Sequence, residues 1–195
     1  FDSYGPGFLT GGQSKNHTTR SMVDQTLKLD INWQANHTHS IKAGLHYFGH
    51  DLKNEWYEIR NKYYNTNNDS VYVPEIFGDS SAYADVYSIT PQELAFYVQD
   101  KMEFDDMVIN IGLRYDQFDP QSVYPSDRRN PANQLILPDS MMSLYPNAPI
   151  ISQLSPRLGF AYQLGGQAVL HFSYGHFFQM PPMYAMYQNN SFLVD

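Results

Sequence analysis

From Val23 to Trp33 the odd positions read Val, Gln, Leu, Leu, Ile, Trp, and the even positions Asp, Thr, Lys, Asp, Asn fall between them. Side chains alternate across a β-strand, so this period of two predicts one apolar and one polar face. Ser40–Lys53 continues the pattern, with Ile41, Ala43, Leu45 and Tyr47 on one side and Lys42, His46 and His50 on the other. Asn36-His37-Thr38 makes the short loop between the two segments. Pairing Trp33 with Ile41 sets Leu29 opposite Leu45 and Leu27 opposite Tyr47, a register that keeps the apolar sides together.

Two more hairpins repeat the arrangement. Leu94, Phe96, Val98, Met102 and Phe104 lead into an Asp105-Asp106 turn, and Met107, Ile109, Ile111, Leu113 and Tyr115 return. A two-residue loop pairs Phe104 with Met107, Met102 with Ile109 and Phe96 with Tyr115. In the third, Leu158, Phe160, Tyr162 and Leu164 meet Ala168, Leu170, Phe172 and Tyr174 across Gly165-Gly166-Gln167, whose glycines suit the positive φ of a tight turn. Asp100 alone breaks the pattern, on the apolar face of the second hairpin. A bulge or a place near a membrane surface accounts for such an exception.

The hairpins are expected at about 22–53, 92–118 and 155–178, with strands of 11 to 14 residues by pattern. Globular sheets average roughly five or six. Connections within hairpins take two or three residues, whereas those between them run over about 54–91 and 119–154. Loops of that length are uncommon in compact soluble domains. They are rich in Tyr, Asn, Asp, Ser and Pro and read as polar excursions, not core strands. Tyr63, Tyr64, Asn65 and Tyr72 are the ligand-contact candidates, because rings beside amides give apolar area at low entropy cost.

Lopsided loops and long alternating strands are the signature of a transmembrane β-barrel, the one sheet that satisfies all its backbone groups in lipid. The fold expected is therefore all-β: an antiparallel barrel segment of about six strands, with short periplasmic turns and long extracellular loops. Trp33 and Phe104, beside the short turns, are candidates for a lower aromatic girdle. Tyr47, Tyr115 and Tyr174, toward the long loops, are candidates for an upper one. Lys28, Lys42, Lys101, Arg114, Asp116, Arg157 and His171 share the opposite face, as in a wet lumen. Alternation alone fits a soluble antiparallel sandwich equally well.

Composition narrows the chemistry. Among 195 residues, 16 Tyr and 12 Phe accompany a mean hydropathy of −0.49, as expected when rings and polar residues alternate. No apolar run exceeds five residues, far short of the roughly 20 of a spanning helix. A net charge of −8 argues against a nucleic-acid partner. The absence of cysteine removes disulfides and thiol chemistry.

Four strand residues separate His46 from His50 by roughly 13 Å, too far for one metal ion. His37 and His39 flank a turn with no carboxylate close in sequence, so neither a metal nor a cofactor is expected. By parity His171 faces the lumen side and His176 the apolar side near an interface. Asp105-Asp106 reads as a solvated turn, Arg128-Arg129 as a loop pair too short for a basic patch, and no Gly-x-Ser-x-Gly elbow occurs. Catalytic residues are not expected.

Four stretches carry a resemblance: Glu93–Lys101, Gly112–Pro120, Ser155–Tyr162 and Phe172–Pro182. In this order the chain from about Gln92 to Gln188 resembles the barrel of TonB-dependent outer-membrane receptors, of the kind common in Bacteroidota. The resemblance implies a barrel of about 22 strands around a plug, of which six are roughly a quarter. It also implies import of a scarce nutrient (siderophore, cobalamin, glycan or peptide) across the outer membrane of a diderm bacterium. The partners implied are outer-membrane lipid and lipopolysaccharide, the TonB complex acting through a plug, and a surface lipoprotein. With no plug or TonB-box-like segment in the sequence, a mid-barrel fragment is expected. The alternatives are a complete small outer-membrane barrel with a structural or adhesive role, and a soluble carbohydrate-binding β-sandwich.

Overall fold

Alternation gives each strand two faces, and the hydrogen-bond register decides whether those faces line up between strands. The computed structural model describes residues 15–63, 72–79, 81–126 and 144–188. These form β1 (Asn16–Gln34), β2 (His39–Asn61), β3 (Pro74–Ile76), β4 (Ala84–Ile89), β5 (Gln92–Glu103), β6 (Met107–Asp119), β7 (Ile151–Leu164), β8 (Ala168–Gly175) and one short helix, α1 (Met183–Tyr187). All strands belong to one antiparallel sheet in the order β1-β2-β5-β6-β7-β8, with β3 and β4 also paired to β2. The sheet is curled as a half-barrel.

The registers are those the pattern requires. Trp33 faces Ile41 and Leu29 faces Leu45; Phe96 faces Tyr115 and Met102 faces Ile109; Phe160 faces Phe172. The same face continues between hairpins, through Leu45 against Phe96 and Ile111 against Leu158. Gly165 and Gly166 take φ of +57° and +77° in the third turn.

Among the described residues nothing covers the apolar face. Leu29, Ile111 and Phe172 are 56, 50 and 55 % exposed. The described strands form one sheet curled as a half-barrel, where the sandwich alternative expects two sheets packed face to face. Asp100 needs no bulge: Ile41, Asp100 and Ile111 stand in unbroken register. Its carboxylate instead meets His39 Nδ1 at 2.6 Å, a diagonal neighbour on the same outer face.

The three short turns also fix the strand tilt. Trp33, Ile41, Asp100, Ile111, Leu158 and Tyr174 form one row across the sheet. Along it, the turn centres lie about 4, 5.5 and 8 residues away in successive hairpins, a slip of about one residue per strand. At roughly 3.3 Å rise and 4.8 Å spacing, level turns then require strands tilted about 35°, at the edge of the range for outer-membrane barrels.

The first long connection contains more strand than the alternation reveals. β2 runs on to Asn61, and β4 pairs with it, Leu52 opposite Ile89. Gly49 opposite Gln92 belongs to the same register, so β4 and β5 are one path broken at Pro91. Pro91 has no N–H to give the ladder, but its carbonyl accepts from the His50 N–H at 3.0 Å.

Outward residues of β2 change from Ile41, Ala43, Leu45 and Tyr47 to Asp51, Lys53 and Glu55. Above that change the inward side is the apolar one. Leu52, Phe118 and Tyr187 are buried together there, with Tyr87, Ile89, Met180, Met183 and Met186 packed around them. From Phe104 to Leu94 the apolar band is about 27 Å tall at this tilt, close to the roughly 25 Å a barrel presents to lipid.

Candidate functional site: the inner wall and its mouth

Charged residues on the polar face pair with the next side chain on the same face, two positions along the strand. Lys28 meets Asp30 at 3.1 Å and Arg114 meets Asp116 at 2.8 Å, while Lys101 pairs with Glu103. Neighbouring strands add cross-links. Asp30 Oδ1 accepts from the Tyr97 hydroxyl at 2.7 Å and lies 3.2 Å from His46 Nε2. His50 lies between Asp24 at 2.7 Å and Glu93 at 3.4 Å. Tyr97 reaches Asp30 only because Gly44, between them, has no side chain: a Cβ there would overlap the Tyr97 ring.

On this face the His46 and His50 side chains are 15 and 10 % exposed, whereas those of Lys28 and Lys101 are 56 and 46 % exposed. Among the described residues no three His, Asp or Glu side chains converge as metal ligands.

Beyond β8 the chain turns back over the inner face near the long-loop end. Phe177 lies under the Arg157 guanidinium at 5.2 Å, and Tyr184 under that of Arg20 at 5.3 Å. Arg157 stands on β7 and Arg20 on β1, so residues 176–188 cross from one side of the sheet to the other. Met180, Met183 and Met186 fill the space above Leu52 and Phe118. The Tyr187 hydroxyl donates to the Pro120 carbonyl at 2.8 Å and closes the arrangement. Burial raises the Tyr187 pKa above that of an ordinary phenol, and the negative field of Asp119, then of Tyr87 and Glu93, adds to it. Tyr87 is raised by burial and by Asp85, against an opposing pull from Arg20.

The residues singled out from sequence fall in three groups. Trp33, Phe104 and Tyr174 are exposed on the outer face; Tyr47 and Tyr115 share that face half-buried. Two of the tyrosines engage the polar residue two positions further toward the long loops: Tyr115 donates to Gln117 at 3.1 Å, and the Tyr174 hydroxyl pairs with His176 at 2.7 Å. Among the loop candidates, Tyr63 is half-buried at the end of β2, and the exposed Tyr72 ring lies under Lys15 Nζ at 4.8 Å. Asn61 Oδ1 accepts from the Tyr63 and Val73 N–H groups and ties together the stem of that loop. Tyr64, Asn65 and the Arg128-Arg129 pair lie outside the described residues.

Alternation does not single out the covering segment of Phe177, Met180, Met183, Tyr184 and Tyr187. The available signal was its run of aromatics and methionines immediately beyond a strand, above inward-facing Leu52 and Phe118.

A family pattern described as TonB dependent receptor-like, beta-barrel matches residues 1–194, well beyond the 92–188 that carry the resemblance in the sequence. No curated protein and no solved structure matches the chain. A curled sheet with one bare apolar face and one charged face is what such a barrel wall requires. The chain belongs to the TonB-dependent receptor-like β-barrel family of bacterial outer-membrane receptors and transporters.

Proposed function

We propose that this chain supplies part of the wall and outer mouth of a transporter that imports a scarce nutrient, a siderophore, cobalamin, glycan or peptide. TonB would act on a plug domain of the parent protein. Family membership gives the outer membrane, the receptor or transport role and coupling to TonB in general. Such proteins are transporters, not enzymes.

One observation supports the reading best: among the described residues the apolar face of the curled sheet is bare, the reverse of a water-soluble protein. On this reading Trp33 and Phe104 form the periplasmic girdle, and Tyr47, Tyr115 and Tyr174 the upper one, beside lipopolysaccharide. Residues around Tyr63 and Tyr72 meet the nutrient, and a surface lipoprotein can deliver it to the mouth.

The test takes the full-length protein in its own diderm host. It should fractionate with the outer membrane and require detergent for release. Its deletion should slow growth on one class of limiting nutrient, and loss of TonB should have the same effect. Recovery in the aqueous fraction without detergent, or uptake indifferent to TonB, would refute the reading.

A further inference from the structure

The covering segment, residues 176–188, is held to the wall mainly by packing. Among the described residues its one main-chain bond to the sheet lies at its start, from the His176 N–H to the Pro156 carbonyl at 3.1 Å. Pro181 and Pro182 have no N–H to offer, and the Ala185 N–H bonds back to Pro182, inside the segment. The far end is tied by the Tyr187 hydroxyl on the Pro120 carbonyl. Phe177 and Tyr184 add contacts to Arg157 and Arg20, all four of them exposed.

What carries the attachment is the apolar cluster. Met180, Met183 and Met186 pack on Leu52, Phe118 and Tyr187. The chain has eight methionines and no cysteine, and three of the eight stand at this three-residue spacing. Each of the three is half-buried, so it fills the space above the wall and still admits a small reagent. With no thiol in the chain, these thioethers are the sulfur that a two-electron oxidant meets at this end of the wall.

The reaction with hypochlorous acid balances without a further partner. The thioether gives up two electrons, an S–O bond forms, the O–Cl bond breaks, and chloride and a proton leave. A flexible apolar side chain becomes a polar, chiral sulfoxide. Against Leu52 and Phe118 the new oxygen must find a donor or reach water. Reaching water means lifting the segment, and the ties at Pro156 and Pro120 are few to oppose it.

We propose that Met180, Met183 and Met186 form a site of reversible oxidation by hypochlorous acid, whose sulfoxides release residues 176–188 from the inner wall. That the release opens the outer mouth rests on the transport reading above; the release itself does not.

The experiment treats the full-length protein in detergent with hypochlorous acid and follows chymotryptic cleavage after Tyr187 by peptide mass spectrometry. Tyr187 is 3 % exposed, so cleavage there reports the population in which the segment has lifted. One added oxygen on these methionines raises the cleavage rate about tenfold or more, the effect of forcing a polar group into an apolar seat. The two methionine sulfoxide reductases, one for each epimer, return the slow rate with a dithiol as reductant: water leaves and the dithiol becomes a disulfide. M180L/M183L/M186L keeps apolar volume at each position and is indifferent to the oxidant. Met22, opposite Leu52 on β1 and 58 % exposed, is retained there and reports the dose. Should the triple variant fail to fold, oxidised against reductase-treated wild type decides alone. Sulfoxides at the three positions with Tyr187 still protected, cleavage that rises equally in the triple variant, or three methionines unchanged at a dose that converts Met22 overturns the inference. Aqueous fractionation of a protein that shows the release would sink the transport reading alone, whereas a TonB-dependent importer whose segment ignores the oxidant would sink this inference alone.

Discussion

Gly44 offers the sharpest test of how the inner wall is built. It stands on β2 between Asp30 on β1 and Tyr97 on β5. Tyr97 lies across it to donate to Asp30 Oδ1 at 2.7 Å. An alanine Cβ would overlap the ring and stand 2.5 Å from that oxygen. Gly44→Ala therefore displaces the ring and severs the bond. A hydrogen bond to a charged group contributes about 1.5–3 kcal/mol at full strength. Asp30 is 32 % exposed and keeps Lys28 and His46, so water and those donors recover part of it. About 1–2 kcal/mol is the reasonable loss.

Alanine in place of glycine in a strand returns roughly 0.5–1 kcal/mol. The net destabilisation in the wild-type background is thus at most about 1.5 kcal/mol. The assay is urea unfolding of the full-length protein in lipid, run as a double-mutant cycle with Tyr97→Ala. Without the Tyr97 ring there is nothing to displace, and Gly44→Ala becomes neutral or stabilising. Tyr97→Phe separates the terms, since it loses the hydroxyl and keeps the ring. A coupling energy of about 1–2 kcal/mol between the two sites is expected. Equal effects of Gly44→Ala in both backgrounds would show that the close approach has no energetic weight.

Three further outcomes follow from the same geometry. Ile31→Lys, on the outer face at mid-height, should cost about 2–4 kcal/mol of folding into bilayers, while Thr26→Lys on the inner face should change little; equal costs would mean the faces are misassigned. His39→Leu leaves the Asp100 carboxylate unpaired against lipid and should cost about 1–3 kcal/mol, whereas His39→Leu with Asp100→Leu should recover wild-type stability or exceed it. Tyr187→Phe should speed hydrogen exchange across residues 176–188 by removing the bond to Pro120. Because burial holds the folded Tyr187 pKa above the ordinary phenol value of 10.0, its contribution is complete below pH 10 and declines as pH rises past it. The variant should lack that alkaline loss, and a loss of equal size in both proteins would place its origin elsewhere.

The membrane-spanning part was legible because lipid on one side and water on the other impose a strict period of two. A slip of one residue would have reversed every side chain in the hairpin, so each register had a single solution. Even Asp100 stood out as an exception, although its partner did not. His39 lies 61 positions away and becomes its neighbour only through the pairing of β2 with β5. The extension of β2 and the β4 strand were hidden by a change of solvent. Above Tyr47 the outer face meets water and turns to Asp51, Lys53 and Glu55, while Leu52, Tyr87 and Ile89 turn inward to the covering segment. The period persists there, but its polarity is reversed, so a search for one continuous apolar face stops at the boundary. Pro91 then divides β4 from β5 at the same height.

The covering segment was illegible for a different reason: nothing in its own sequence says what it packs against. Met180, Met183 and Met186 bind by filling space, and their partners come from β2, β4 and β6. The tilt, by contrast, was present in the sequence as the unequal distances of Trp33, Asp100 and Leu158 from their turns. Hydrogen bonding places Trp33 and Tyr174 in one row, which on a flat sheet would set them at one height. The slip of about one residue per strand raises Tyr174 by about 11 Å over Trp33 when the turns are level. Its hydroxyl then leans a further two positions upward, to His176. One row of side chains thereby climbs from beside the short turns toward the long loops. That climb brings a Trp at one end and a Tyr at the other to opposite edges of a single apolar band, where the proposed girdles require them.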